Sequence, residues 1–360
     1  MMLSLKNKTM FKIFVKLSIL IMISFLLSCN KYKYSNSRSF SLSDIQEKIH
    51  LTGVIIDNDE IFRPRSLFFK DSLLFTVNLQ QPFFVTVFRL PDMKKIGDFI
   101  SFGSGPNEAL NVSNLQFQDS LVWVLDKSRQ QINKYKINQF LVEKEIAPLE
   151  VIKIEESFNT LLVTENKLIA NSLYHVQSRF SIYDLKGNFI ENKGELPDAG
   201  IPMTDLELLE SYFCNMALNP INESIFVAYT STDLIEIYNA EGNLKTGMHG
   251  PDQFYSIKKE VSLDNNMQRV SSIEGKTRDA YYNPIAFEDE IWTIYNGKYF
   301  DRNVENGFLC NRIIVFDWDG NPIRHYTTDT GFYALAVDRK NRAFYGLTLN
   351  PEFAFVKFNY

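Results

Sequence analysis

The stretch SFGSGPNEA, Ser101 to Ala109, places Gly103, Gly105, Pro106 and Glu108 within nine residues. A glycine pair of this kind can cradle a phosphate, but only where a helix N-terminus stands behind it. The residues that follow, LNVSNLQFQD, read as a strand, so the stretch reads as a corner in which glycines permit positive φ and Pro106 fixes its own. DWDGN, Asp317 to Asn321, begins like a calcium loop. Val315 stands where that loop needs an oxygen ligand, and no glutamate completes the cage. DLKGN and NAEGN recur at comparable places, which is the behaviour of a hairpin turn. The four histidines, His50, His175, His249 and His325, show no metal-ligand spacing, and no Gly-x-Ser-x-Gly elbow is present. Nothing in these residues calls for a cofactor.

The elements that must position such residues are short alternating runs rich in Phe and Tyr, which read as strands. DSLLFTV (71–77) returns as DSLVWVL (119–125), and more loosely as NKLIANS, ESIFVAY, DEIWTIY and NRAFYGL. Aligned on one core position, the copies fall at Phe75, Trp123, Ile169, Phe226, Trp292 and Phe344. A second run keeps step with the first and carries aromatics at Phe88, Tyr135, Tyr183, Tyr238, Phe316 and Phe358. Paired strands repeating at roughly 40–50 residues are the mark of propeller blades. The expected fold is all-β: a single six-bladed β-propeller over residues 48–360. The sixth copy ends at Tyr360 without an outer strand, while KIHLTGVII (48–56) is left over at the other end. Laid on the outer edge of blade six, that run closes the ring and covers an open edge.

The first 28 residues carry Lys6, Lys8, Lys12 and Lys16, then the apolar run LSILIMISFLL. That run is short for a bilayer span, which takes about 20 apolar residues, and fits the h-region of a secretory signal. Leu26-Leu27-Ser28-Cys29 resembles the bacterial lipobox, so Cys29 is the expected lipidation site and residues 29–47 a flexible tether. Removing residues 1–28 takes four lysines and no acid with it, moving the net charge from −5 to −9. Such a balance argues against nucleic acid, which demands clustered Lys and Arg. Cys214 and Cys310 are the other cysteines, and read as two separate buried thiols.

Lipobox, polar tether, six degenerate blades and the corner Gly103-x-Gly105-Pro106-x-Glu108 together resemble the TolB-like six-bladed propeller lipoproteins of Bacteroidetes. The resemblance covers nearly all of the mature chain. It implies the fold and an envelope address, in a lipid-anchored protein of the outer membrane facing the periplasm, and it carries over no catalytic residue. Fold alone does not license function.

Within such a fold, the starts of the inner strands face a central funnel, the default place for a ligand. The candidate ligand-binding residues there are Arg63, Arg65, Glu108, Asn111, Tyr212 and Asn283, with Glu156, Asn159 and Asn215 at equivalent positions. Six-bladed lactonases hold calcium at such positions with acids and amides. A funnel-sited hydrolase or lactonase with a divalent metal is therefore the alternative to a binding module, although arginines here stand where a cation site wants acids. Three insertions add a second candidate: LPDAGIPMTDLELLES before blade four, residues 251–279 before blade five, and NGKYFDRNVENGFLC inside blade five. Inter-blade crossings and second-to-third-strand connections open on one face, so all three are expected to crowd one sector of one rim. The expected partner is an envelope protein at that rim or a small ligand in the funnel.

Overall fold

The computed structural model describes residues 32–79, 82–143, 145–172, 176–262, 268–349 and 352–360. Residues 36–196 and 203–360 form one compact unit; residues 32–35 and 197–202 belong to a second, within which the Lys33 N–H donates to the Ala199 carbonyl at 3.2 Å. Among the described residues the large unit holds six blade sheets, each built on four antiparallel strands and two of them joined by a fifth, parallel strand, and one separate two-stranded hairpin. Blade one runs Pro64–Lys70, Leu73–Asn78, Phe83–Arg89, Lys94–Ser101, and blade two Val112–Gln118, Leu121–Asp126, Gln131–Lys136, Glu150–Lys153. Blade three follows as Phe158–Val163, Lys167–Ser172, Phe180–Asp184, Phe189–Lys193, and blade four as Cys214–Leu218, Ile225–Tyr229, Leu234–Tyr238, Leu244–His249. Blade five is Tyr281–Ala286, Glu290–Tyr295, Cys310–Asp317 and Pro322–Phe332. Ala334–Asp338, Ala343–Leu349 and Phe353–Asn359 make blade six, with Val54–Ile56 as its fourth strand. The architecture is the six-bladed propeller.

The two aromatic repeats explain why the sheets stack. Phe75, Trp123, Ile169, Phe226, Trp292 and Phe344 all lie on second strands and all are buried. Phe88, Tyr135, Tyr183, Tyr238, Phe316 and Phe358, on the third strands, are buried as well. Phe226 and Phe316 meet at 5.8 Å between blades four and five, and Phe88 meets Phe355 at 5.2 Å between blades one and six. In the polar turns before the second strands Asp71, Asp119, Glu223 and Arg342 all have positive φ, a conformation that the short side chain of aspartate tolerates better than most.

The N-terminal segment departs from expectation. KIHLTGVII is not one strand on one blade. Glu47–Leu51 pairs in parallel with the outer strand of blade five, and only Val54–Ile56 completes blade six. The chain steps between them at Gly53, whose N–H donates to the Asp329 carboxylate at 2.9 Å. Upstream, Ser37–Ser39 pairs in parallel with the outer strand of blade four. Residues 37–47, expected as flexible tether, are thus part of a belt that buries Phe40 and Ile45 beside blades four and five. Backbone pairing and two apolar anchors hold what polar composition alone suggested was free. Residues 1–31, including Cys29 and the lipobox, lie outside the described residues.

The belt carries a pH dependence. His325, on the outer strand of blade five, pairs in register with Lys48 of the belt. Burial, aided by the charges of Arg312 and Lys48, pulls its pKa down from 6.5 to about 4. The folded state holds the ring neutral while the unfolded chain protonates near 6.5, so this contribution is complete above pH 6.5 and is lost as pH falls toward 4. Replacing His325 by Gln is expected to flatten the decline of the melting temperature across that window. Thermal unfolding at stepped pH reads this directly, and parallel slopes for the two proteins would contradict it.

Candidate functional site

The three insertions meet, as their positions imply. Thr204 caps the helix Asp205–Ser211: its Oγ1 accepts the Glu207 N–H at 3.2 Å while the Glu207 carboxylate accepts the Thr204 N–H at 3.1 Å, a reciprocal capping box. The helix lies on a hairpin, Lys258–Ser262 and Gln268–Ser272, supplied by the second insertion. The Glu260 N–H donates to Glu207 at 3.0 Å, Thr204 Oγ1 to the Glu260 carboxylate at 2.7 Å, and Lys258 Nζ to the Glu210 carbonyl at 2.7 Å. The amides of Glu260 and Thr204 hold the Glu207 carboxyl below its ordinary range. The third insertion joins through the backbone. Gly275 N–H donates to the Phe300 carbonyl at 2.9 Å, Phe300 N–H to Thr277 at 2.8 Å and Asp279 N–H to Lys298 at 3.0 Å. A cleft of about 400 Å³ opens between hairpin and connection, with Lys259, Arg269 and Arg302 set against the single carboxylate of Glu274. On the same connection Tyr299 is 57 % exposed, Val304 53 % and Phe308 49 %.

A buried carboxylate roots this lobe in blade four. Asp233, wholly removed from solvent, accepts the N–H groups of Asp252 and Gln253 at 2.7 Å and of Phe254 at 2.9 Å. His249 Nε2 lies 3.1 Å from Oδ1, the oxygen that also accepts the Phe254 N–H. Asp252 in turn accepts the Tyr295 hydroxyl at 2.9 Å and pairs with Arg278, whose guanidinium lies over Phe254 at 4.3 Å and Tyr299 at 5.0 Å. Burial, then the charges of Asp233 and Asp252, raise the Tyr295 hydroxyl far above its ordinary range and keep it a donor.

Asp126 does the same for blade two. It accepts Leu110 N–H at 2.8 Å and Asn111 N–H at 3.0 Å, while Arg129 beside it donates to the Gly103 and Gly105 carbonyls at 2.7 and 3.1 Å. The glycine corner is therefore occupied by its own acid: Glu108 accepts the Gly105 N–H at 2.6 Å. A Cβ on Gly103 would fall on that carboxylate and push it from the Gly105 N–H. Neither Gly103 nor Gly105 has the positive φ expected of it; Ile100 carries one instead. DWDGN and DLKGN also spend their acids on themselves. Asp317 accepts the N–H groups of Asp319 and Asn321 at 3.0 and 2.8 Å, and Asp184 those of Lys186 and Asn188 at 2.8 and 2.9 Å. Gly187, Gly242 and Gly320 sit at φ of 86°, 83° and 82° in the three equivalent turns, where a side chain would be strained.

The funnel residues do not converge as one set; Arg65, Asn159 and Asn283 latch neighbouring blades. Arg65 donates from blade one to the Val112 carbonyl of blade two at 3.0 Å. Asn159 donates from blade three to the Cys214 carbonyl of blade four at 3.0 Å. Asn283 spans blades five and six, its amide donating to the Leu335 carbonyl and accepting the Leu335 N–H, both at 3.2 Å. Tyr333 closes the circle with a 2.7 Å bond to the Pro64 carbonyl of blade one. Arg63 is exposed, with φ of 42°. Asn111 sits in the crossing before blade two, its N–H held by Asp126. Tyr212 is in the core, its ring edge-on to Tyr229 at 5.7 Å and its carbonyl accepting from the buried Arg179 at 3.2 Å. Glu156, the remaining acid of the set, accepts the Tyr183 hydroxyl at 2.9 Å.

His50 bonds Thr327 at 3.0 Å, and His175 lies outside the described residues. Among the described residues no three His, Cys, Asp or Glu side chains group to hold a metal ion. Cys214 and Cys310 are free and buried. Asn171 donates to Cys214 Sγ at 2.8 Å, and burial pushes the Cys310 thiol up to about 12.

The model of the TolB-like 6-blade propeller-like family matches residues 11–340. A member of the DUF4221 family from Bacteroides vulgatus ATCC 8482 is similar in structure at 11 % identity, with a TM-score of 0.53 over 92 % of this chain and 98 % of that one. A Bacteroides fragilis NCTC 9343 protein, described only by an expectation of export, is similar at 12 % identity and a TM-score of 0.50, covering 89 % of this chain and 98 % of its own. At such identities the likeness is one of fold. A search of curated proteins finds no sequence match.

Proposed function

Because the chain belongs to the TolB-like six-bladed propeller family, whose shared property is a rigid ring, we propose that it is a binding or scaffolding protein of a bacterial envelope. It is held there by lipid on Cys29 and docks an envelope protein on the lobe over blades four and five. One observation carries this reading: three separate insertions, otherwise distant in sequence, hydrogen-bond to one another into a single lobe. Drifting loops have no reason to interlock, whereas loops built on a rigid scaffold commonly carry function. The lobe also gathers exposed aromatic and arginine side chains, Tyr299, Phe308 and Arg302, the types that anchor protein interfaces.

The funnel-hydrolase reading has less support. The acids at the inner-strand starts, Glu108 and Glu156, are engaged by Gly105 and Tyr183.

The experiment has two arms in the full-length chain. Replacing residues 298–308 by a tight turn is expected to leave the melting temperature within a few degrees while co-purification of the envelope partner falls at least about tenfold. Cys29→Ser is expected to release the protein from membranes with its lobe binding intact. Undiminished partner capture by the shortened loop would overturn the docking face, and unchanged membrane fractionation of Cys29→Ser would overturn the anchor.

A further inference from the structure

A second place in the ring is built differently from the lobe. Where the inner strands of blades one, two and three begin, two part-buried cations lie near one another. Arg65 comes from blade one and spends one N–H on Val112. Lys127 comes from the turn after the second strand of blade two, where its backbone N–H donates to Asn111 at 3.0 Å. Its Nζ donates to Asn159 Oδ1 at 2.8 Å. That amide is fixed in orientation, because its Nδ2 donates across to Cys214. Three blades therefore hold two positive groups in one geometry.

Among the described residues no carboxylate forms an ion pair with Arg65 or Lys127. The acids nearest in the chain are engaged elsewhere: Asp126 with the amides of Leu110 and Asn111 and with Arg129, Glu108 with Gly105, Glu156 with Tyr183. Burial lowers the pKa of Arg65, and burial together with the charge of Arg65 lowers that of Lys127 to about 8. Placing like charges together in a partly desolvated site is unfavourable, and apolar residues would serve a purely structural role better. Among the described residues most of the guanidinium fork and the remaining ammonium hydrogens have no protein acceptor, which leaves them to a ligand or to solvent.

We propose that Arg65 and Lys127 form a binding site at the mouth of the central channel for the oxyanion group of a small ligand, a carboxylate or a phosphate. The guanidinium binds two oxygens side by side and the ammonium adds a point charge. Asn159 holds the ammonium in place. Exposed Arg63 stands two residues before Arg65 in the chain, where it adds to the attraction for an anion. The site is distinct from the lobe and does not depend on it.

Calorimetric titration of the full-length protein tests this with inorganic phosphate, succinate and, as a simple-ion control at equal ionic strength, chloride. Saturable binding of phosphate or succinate at one site per chain is expected, with chloride far weaker; which of the two saturates identifies the oxyanion. Lys127→Met and Arg65→Gln should each weaken that binding at least about tenfold. In anion-free buffer Lys127→Met should also melt higher than the wild type, because it removes the repulsion, a gain that loss of a merely structural lysine would not give. Should Arg65→Gln fail to fold, Lys127→Met alone carries the test. Equal binding by wild type and Lys127→Met, or no saturable binding of either oxyanion, would overturn the proposal.

Discussion

A chain lacking residues 37–56 is expected to melt at least about 10 °C below the full-length protein and to associate on size-exclusion chromatography. The belt contributes through two effects. Phe40, Ile45 and Leu51 are 3 %, 1 % and 8 % exposed, and burying a large apolar side chain is worth roughly 1.5–3 kcal/mol. Three such losses correspond to several kelvin each in a domain of this size. The second effect is on edges. Without Ser37–Ser39, Glu47–Leu51 and Val54–Ile56, the outer strands of blades four and five and the third strand of blade six present unpaired N–H and C=O groups. Open edges of this kind recruit other chains. A truncated protein that stays monomeric and melts with the wild type would show that the belt is dispensable.

The second large effect is expected at Asp233. Asp233→Ala removes the acceptor for three backbone N–H groups and leaves His249 without its carboxylate. Each buried donor left unsatisfied costs about 1–3 kcal/mol, so a total near 4 kcal/mol is expected. Part of it is spent as local opening of residues 250–256 rather than as global unfolding. Hydrogen exchange should therefore accelerate first in that crossing and in the lobe above it. Asp233→Asn, which keeps an acceptor oxygen, should lie between the two. Uniform acceleration over all six blades, or none, would contradict the clamp.

The repeat was legible because a propeller blade is a local object. Phe75 and Phe88 belong to one hairpin, and every later copy, down to Phe344 and Phe358, repeats that short-range pattern. The convergence of the insertions was legible too, since strand alternation alone decides on which face a connection emerges. Long-range pairings left little trace. KIHLTGVII reads as one alternating strand, yet Gly53 breaks it where the chain passes from blade five to blade six. A Cβ there would meet the side chains of Val356 and Phe358, contacts that no local pattern announces. Ser37–Ser39 pairs with a strand more than two hundred residues away and shows no alternation of its own. Asp126 and Asp233 look like ordinary turn acids until the crossings they clamp are folded against them. Arg65, Asn159 and Asn283 stand near the starts of inner strands and read as candidate ligands, but each donates to a carbonyl on the next blade, a partner that no local pattern announces. Lys127 escaped notice because it sits in a second-to-third-strand turn rather than at an inner-strand start.

The docking face is tested most directly by photocrosslinking in intact cells, with a photoreactive phenylalanine analogue placed singly at Tyr299, Val304 or Phe308 of the lobe. Control positions are Ile221 and Phe189, which are exposed at the turns of blades four and three on the opposite face of the ring. Lobe positions are predicted to give one discrete adduct of common size while the control positions give none. Adducts from Ile221 or Phe189 with none from the lobe would contradict the assignment of the binding face.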